Sequence, residues 1–154
     1  MSLVNVLNIH DSVELDTEKR IQFIDLTGLV RERVRASEVV NGMVNVQTKH
    51  TTTAIVLNEN EHQLLRDFEE RLEAWAPRGV SYYHNDLEAR RFQLRSDERP
   101  NGDAHARAIL LGASETLNVV DGEVQLGPWQ RLFLVELDGP RRRSISILVM
   151  GTVV

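Results

Sequence analysis

From Glu115 to Val154 the chain reads as short apolar and β-branched runs separated by tight-turn signals, and this restricts its fold more than any other feature. "ETLNVV" meets "EVQLG" across Asp121-Gly122, a pair suited to the positive φ angles of a two-residue hairpin loop. "QRLFLVELD" and "RRSISILVMGTVV" are joined across Asp138-Gly139-Pro140. Strands this short and this closely joined are expected to be antiparallel, because parallel neighbours need long crossovers.

The earlier part supplies further strands and the helices. "LVNVLNI", Leu3 to Ile9, reads as an opening strand. "GMVNVQTKH" alternates, with Val44, Val46 and Thr48 on one face and Asn45, Gln47 and Lys49 on the other. "TTTAIVL" continues as a β-branched strand. "DLTGLVRERVRAS" predicts a short helix, with Asp25 or Thr27 near its cap. "NENEHQLLRDFEERLEAWAP" predicts the longest one. Leu64, Leu65, Phe68, Leu72 and Trp75 form its apolar stripe, Asn58 or Asn60 caps it, Asp67 pairs with Arg71, and Pro77 with Gly79 ends it. "SYYHNDLEARRFQLRSDERP" has no period and reads as a long charged connection. "AHARAILLG" then predicts a short helix closed by Gly112, with Asp103 as its cap. The sum is one α+β domain over residues 1–154, mostly antiparallel, with one long amphipathic helix and short ones.

The chain's 154 residues suit a single domain with a real core. A net charge of -5 and sparse aromatics argue against nucleic acid as a partner. With no cysteine, there is no disulfide framework and no thiolate chemistry, so a metal would rest on imidazole, carboxylate, amide or water. The first twenty residues do not have the pattern of a signal peptide, and no apolar run reaches the length of a membrane span. A cytoplasmic protein without membrane partners is the expectation.

Chemistry is sought first among the five histidines, three of which stand where elements change. His50 lies between two strands, His84 follows two tyrosines, and His105 opens a helix. Three neutral imidazoles converging from distant segments would make an open metal site. No HExxH or paired HxH spacing accompanies them, so three ordinary polar histidines are the favoured reading at this point. His62 reads as a solvated helix residue, and His10 has no obvious partner. "HTTT" offers hydroxyl and backbone donors for a phosphate, and "GPRRRS" offers guanidinium forks, although strand propensity and edge protection explain both runs as well.

Taken in order, "QTKHTTTAIVLNENE", "YYHND" and "NGDAHARAILLGASETLNVVDGEVQLGPWQRLFLVELDGPRRRSISILVMG" resemble the YjbQ-like family, whose members are often described as secondary thiamine-phosphate synthases. The resemblance runs from Gln47 to Gly151. It implies a β-sandwich-like core, a homotrimer, and a site at the subunit boundary lined by His50, His84 and His105. It also maps its "GPWQ" stretch onto Gly127, Trp129 and Gln130, and its basic turn onto Arg141 to Arg143. The stretch between His84 and His105 departs from the pattern, being long and arginine-rich, so contacts there are not carried over.

The expectation that follows is a metal-dependent enzyme acting on a small phosphorylated substrate. In it a zinc-like divalent ion rests on His50, His84 and His105. Thr51, Thr52 and Arg143 touch phosphate, and Glu59 or Asp86 carries a proton. Thiamine-phosphate synthesis expels diphosphate, which is normally handled by Mg²⁺ on carboxylates, whereas imidazoles favour zinc-like metals. That tension points to a main substrate other than the thiamine precursors. The alternative is a non-catalytic trimer that holds a metal or anion in the same pocket.

Overall fold

The computed structural model describes residues 5–153. Its strands are β1 (Val6–Asp16), β2 (Gln22–Asp25), β3 (Asn41–Thr48), β4 (Thr53–Glu59), β5 (Ser114–Val120), β6 (Glu123–Val124), β7 (Gln130–Glu136) and β8 (Arg142–Thr152). The helices are α1 (Thr27–Ala36), α2 (His62–Trp75) and α3 (Gly102–Leu111). One five-stranded sheet has the order β1-β8-β3-β5-β6, and a three-stranded sheet has β2-β7-β4. Every pairing is antiparallel. The expected opening strand is present from Val6; Leu3 and Val4 lie outside the described residues.

The two sheets explain two kinds of strand sequence. In β3 the expected alternation holds: Val44, Val46 and Thr48 are buried, while the residues between them are less so. Strand β7 instead reads "RLFLVE" without alternation because both of its faces are covered. Leu132 and Leu134 join one core cluster with Val44, Val46, Ile145, Ile147 and, from α1, Val30 and Val34. Phe133 and Val135 face the other way, into a cluster with Leu72 of α2 and Ala104 of α3. The Asp121-Gly122 hairpin forms as expected, with φ of 52° and 76°. Around Asp138-Gly139-Pro140 the chain passes from one sheet to the other, since β7 and β8 pair with different partners.

Several local expectations change. At 14 residues α2 is only modestly longer than α1 and α3, which have 10 each, so no single long helix dominates. Its cap is Glu61, whose carboxylate accepts from the Gln63 and Leu64 N–H groups, and not Asn58 or Asn60. Arg71 lies nearest Glu70 at 3.8 Å, not Asp67. Trp75 ends the apolar stripe yet is 63% exposed. Asp25 does serve α1, accepting from Thr27 N–H.

Asp103 is no cap either. It is buried in the first turn of α3 and accepts two hydrogen bonds from Arg20, with Arg107 3.7 Å away. The start of α3 is served from a distance: Asn85 Oδ1 accepts from Gly102 N–H at 2.9 Å. Asn85 closes a 3-10 turn, Tyr83–Asn85, so this bond ties that turn to the helix. A Cβ on Gly102 would lie 2.6 Å from Cβ of Tyr82, so only glycine lets the two segments approach this closely.

Candidate functional site

Strand β3 leaves the larger sheet after Thr48 and β4 enters the smaller one at Thr53, so Lys49 to Thr52 form the bridge between sheets. The Thr48 and Thr53 hydroxyls meet at 2.5 Å beneath it. Against this bridge lie the 3-10 turn and the start of α3, and between them opens a cavity of about 520 Å³. His50, His84 and His105 all line it, as do Thr51, Thr52 and Arg143. The three histidines and the three expected phosphate contacts thus reach one place.

His84 and His105 are in contact, edge to face, with ring centroids 4.5 Å apart. His84 Nε2 stands between Arg90 Nη1 at 3.4 Å and Glu98 Oε1 at 3.7 Å, and Arg90 and Glu98 are themselves paired at 2.9 Å. Burial, then the charge of His84, holds the His105 imidazole below its ordinary range, so this ring is neutral at pH 7. Glu98 sits below the usual carboxylate range, chiefly through its hydrogen bond from Arg90. An imidazole beside both a carboxylate and a guanidinium, touching a second imidazole, is suited to moving a proton.

The cavity wall carries Lys49 and five arginines against Asp97 and Glu98. Much of that charge is spent within the protein. Asp138, fully buried, accepts from Arg20, Arg99, Arg141 and Asn101. Burial pushes this carboxyl up, but the hydrogen bonds of Asn101 and Arg141 and the charge of Arg99 outweigh it and hold it low. Arg143 is likewise occupied: Nε and Nη2 grip both oxygens of buried Glu136 at 2.6 Å, and Nη2 also reaches Thr52 Oγ1 at 2.9 Å. Arg143 therefore braces the wall, and the Nε and Nη2 expected to fork a phosphate are already engaged within the protein.

Two expected proton carriers lie elsewhere. Strand β4 has seven residues, which at ~3.3 Å each leaves Glu59 roughly 20 Å from the bridge. The carboxylate of Asp86 is exposed and accepts from Ala89 N–H in the turn after His84. Neither lines the cavity. Glu98 takes the position they were expected to fill, and its only sequence signal was a place in the charged stretch before His105. Gln130 accepts no cavity contact but bonds Gly127 N–H, and Trp129 is 71% exposed. His62 is exposed at the first residue of α2, and His10 Nε2 meets Ser146 Oγ at 2.9 Å.

The expected three-imidazole metal centre is not assembled by these side chains. His50 Nε2 already accepts from the Ser144 backbone N–H at 2.9 Å, which uses the lone pair a metal would need. Among the described residues, no three His, Cys, Asp or Glu side chains are grouped to hold a metal ion.

Residues 11–152 match the model of the UPF0047 protein YjbQ-like family. A UPF0047 protein of Methanothermobacter thermautotrophicus is 42% identical over 89% of this chain and 88% of its own length. The UPF0047 protein YugU of Bacillus subtilis is 29% identical over 91% of this chain and 98% of its own. Among solved structures, a protein of unknown function from Sulfolobus solfataricus superposes with a TM-score of 0.86 at 31% identity, covering 96% of this chain and 99% of that one. A family protein from Clostridium acetobutylicum gives 0.79 at 34% identity, with 90% and 98% covered.

Proposed function

The chain belongs to the YjbQ-like UPF0047 family, and on that premise we propose that its histidine-lined cavity binds a small phosphorylated molecule and acts on it as an enzyme. One observation carries the reading. The bridge between the sheets, the 3-10 turn and the start of α3 bring three imidazoles and a surplus of cationic side chains to one cavity. Cations and N–H donors attract the phosphate, and desolvated walls strengthen that attraction. The His84–His105 pair, with Glu98 and Arg90 behind it, then takes a proton from, or gives one to, an atom next to the phosphate. His105 is the base in this scheme, because burial keeps it neutral.

Thiamine-phosphate formation is the specific reaction to assay first, against a panel of other phosphate esters. The reading also keeps a zinc-like divalent ion as a separate arm, with His84 and His105 as its imidazoles, but no step of the scheme passes through it. It includes assembly as a homotrimer with the cavity near a boundary between copies, which the exposed Tyr83, Phe92, Ile109 and Trp129 would serve.

Isothermal titration with inorganic phosphate and diphosphate tests the binding half. Binding that weakens as salt rises supports the proposal; no heat at millimolar ligand removes it. Turnover across the panel tests the catalytic half, and saturable binding with no turnover of any compound moves the protein to a non-catalytic anion-binding role. Elemental analysis with and without loading decides the metal arm, and sedimentation velocity decides the trimer.

A further inference from the structure

Of the three cavity imidazoles, His50 is the one whose two nitrogens are distinguished by geometry alone. Its Nε2 lies 2.9 Å from the Ser144 backbone nitrogen. Ser144 is next to Ile145, the last β8 residue paired with β3, so the ring takes up a donor that the departing strand has left free. A backbone N–H can only donate, hence Nε2 must present its lone pair. A metal at Nε2 would have to break this bond and leave a half-buried N–H without its acceptor. The neutral ring then carries its proton on Nδ1, and Nδ1 meets no acceptor among the described residues. Protonating both nitrogens would set two hydrogens against each other at Ser144. Burial, followed by the charge of Arg143, disfavours that state as well. Thr51, exposed on the same turn, and Lys49 line the cavity beside it.

We infer that His50 is a neutral hydrogen-bond donor that grips an oxygen of the bound phosphate through Nδ1, and not a metal ligand. The inference rests on the anion-binding reading above and narrows it. It assigns the phosphoryl group to the β3–β4 bridge and leaves His84 and His105 for the rest of the substrate. A neutral imidazole held this way donates without bringing a titrating charge, so binding does not depend on the ring taking up a proton.

Nitrogen NMR of the imidazoles, on the full ¹⁵N-labelled chain, tests it with inorganic phosphate and, separately, Zn²⁺ as probes. The expected spectrum has His50 as the Nδ1–H tautomer, with Nδ1 shifting as phosphate is added. His50→Asn places an amide donor near Nδ1 and should bind phosphate within about three-fold of the parent, whereas His50→Gln keeps only the Ser144 acceptor and should lose about ten-fold or more. An Nε2–H tautomer, a His50 nitrogen that shifts as a ligated atom with Zn²⁺, or equal losses in the two variants overturns the inference. Phosphate shifts at Lys49 and Thr51 with Nδ1 unmoved overturn it alone. No phosphate response at any cavity residue overturns the anion-binding reading and takes this inference with it.

Discussion

The rings of His84 and His105 touch because Asn85, the residue after His84, accepts from the N–H of Gly102 at the start of the helix carrying His105. The chemistry of the pair is therefore set by one capping bond and by the absence of a side chain at Gly102, where Tyr82 packs.

Gly102→Ala is expected to push Tyr82 and the 3-10 turn away from α3. A forced methyl of this kind costs about 1–3 kcal/mol, read as a lower urea midpoint. Ring-to-ring NOEs between His84 and His105 should disappear with it. Gly79→Ala is the control, because nothing lies within 4 Å of its added carbon, and it should shift stability by no more than about 0.5 kcal/mol.

His50 and His105 both have imidazole pKa values lowered from 6.5, in each case with burial as the largest cause. For a depressed histidine the unfolded chain takes up protons first as pH falls, so ν_U exceeds ν_N and stability drops. Their contribution is complete above pH 6.5 and is lost as pH falls below it towards the folded values. The urea midpoint should thus decrease from pH 7.5 to pH 5.5, above the range where most carboxylates respond. His105→Gln should flatten that decrease; an unchanged slope would exclude His105 as a source.

Arg143 tests the difference between a wall and a ligand contact. Its fork is held by Glu136, and both residues are almost wholly buried. Arg143→Ala leaves a buried carboxylate unpaired and should cost about 3–5 kcal/mol in denaturant unfolding. The double variant Arg143→Met with Glu136→Gln removes both charges while keeping an amide oxygen for the Leu137 and Asp138 N–H groups, and should recover most of the loss. A phosphate-binding arginine would show the opposite pattern, with weak ligand binding and little change in stability.

The parts of the fold that were legible in the sequence are those governed by local periodicity. The β3 alternation, the α2 stripe from Leu64 to Leu72 and the Asp121-Gly122 turn each follow from neighbours a few residues apart. The stretch from Ser81 to Pro100 was not legible, because its order comes from ion pairs with no helical or strand period: Arg99 to Asp138 across the chain, and Glu98 to Arg90 and His84 within the stretch. The pairings of Arg143 with Glu136 and of Asp103 with Arg20 are hidden in the same way, since a run of charges does not reveal which member is buried against which partner. Glu61 lost out to its asparagine neighbours only because short amides are the commoner caps. The three histidines were found by their positions at element boundaries, while their unequal environments required the structure.

Glu98 gives the sharpest separation of binding from chemistry. As an anion on the cavity wall, Glu98 would oppose the charge of a bound phosphate under the proposed function, so Glu98→Gln should tighten inorganic phosphate by about two- to five-fold in isothermal titration. As the carboxylate 3.7 Å from His84 Nε2, it would also steady the charge that this ring gains in the proposed proton transfer. Turnover of whichever phosphate ester the panel identifies should then fall by about ten-fold or more, with KM unchanged or lower. Glu59→Gln, at the far end of β4, should change neither quantity. Weaker phosphate binding in Glu98→Gln would mean that Glu98 holds the wall together through Arg90 and has no electrostatic part in the site. Equal losses of kcat in both variants would return the proton carrier to Glu59.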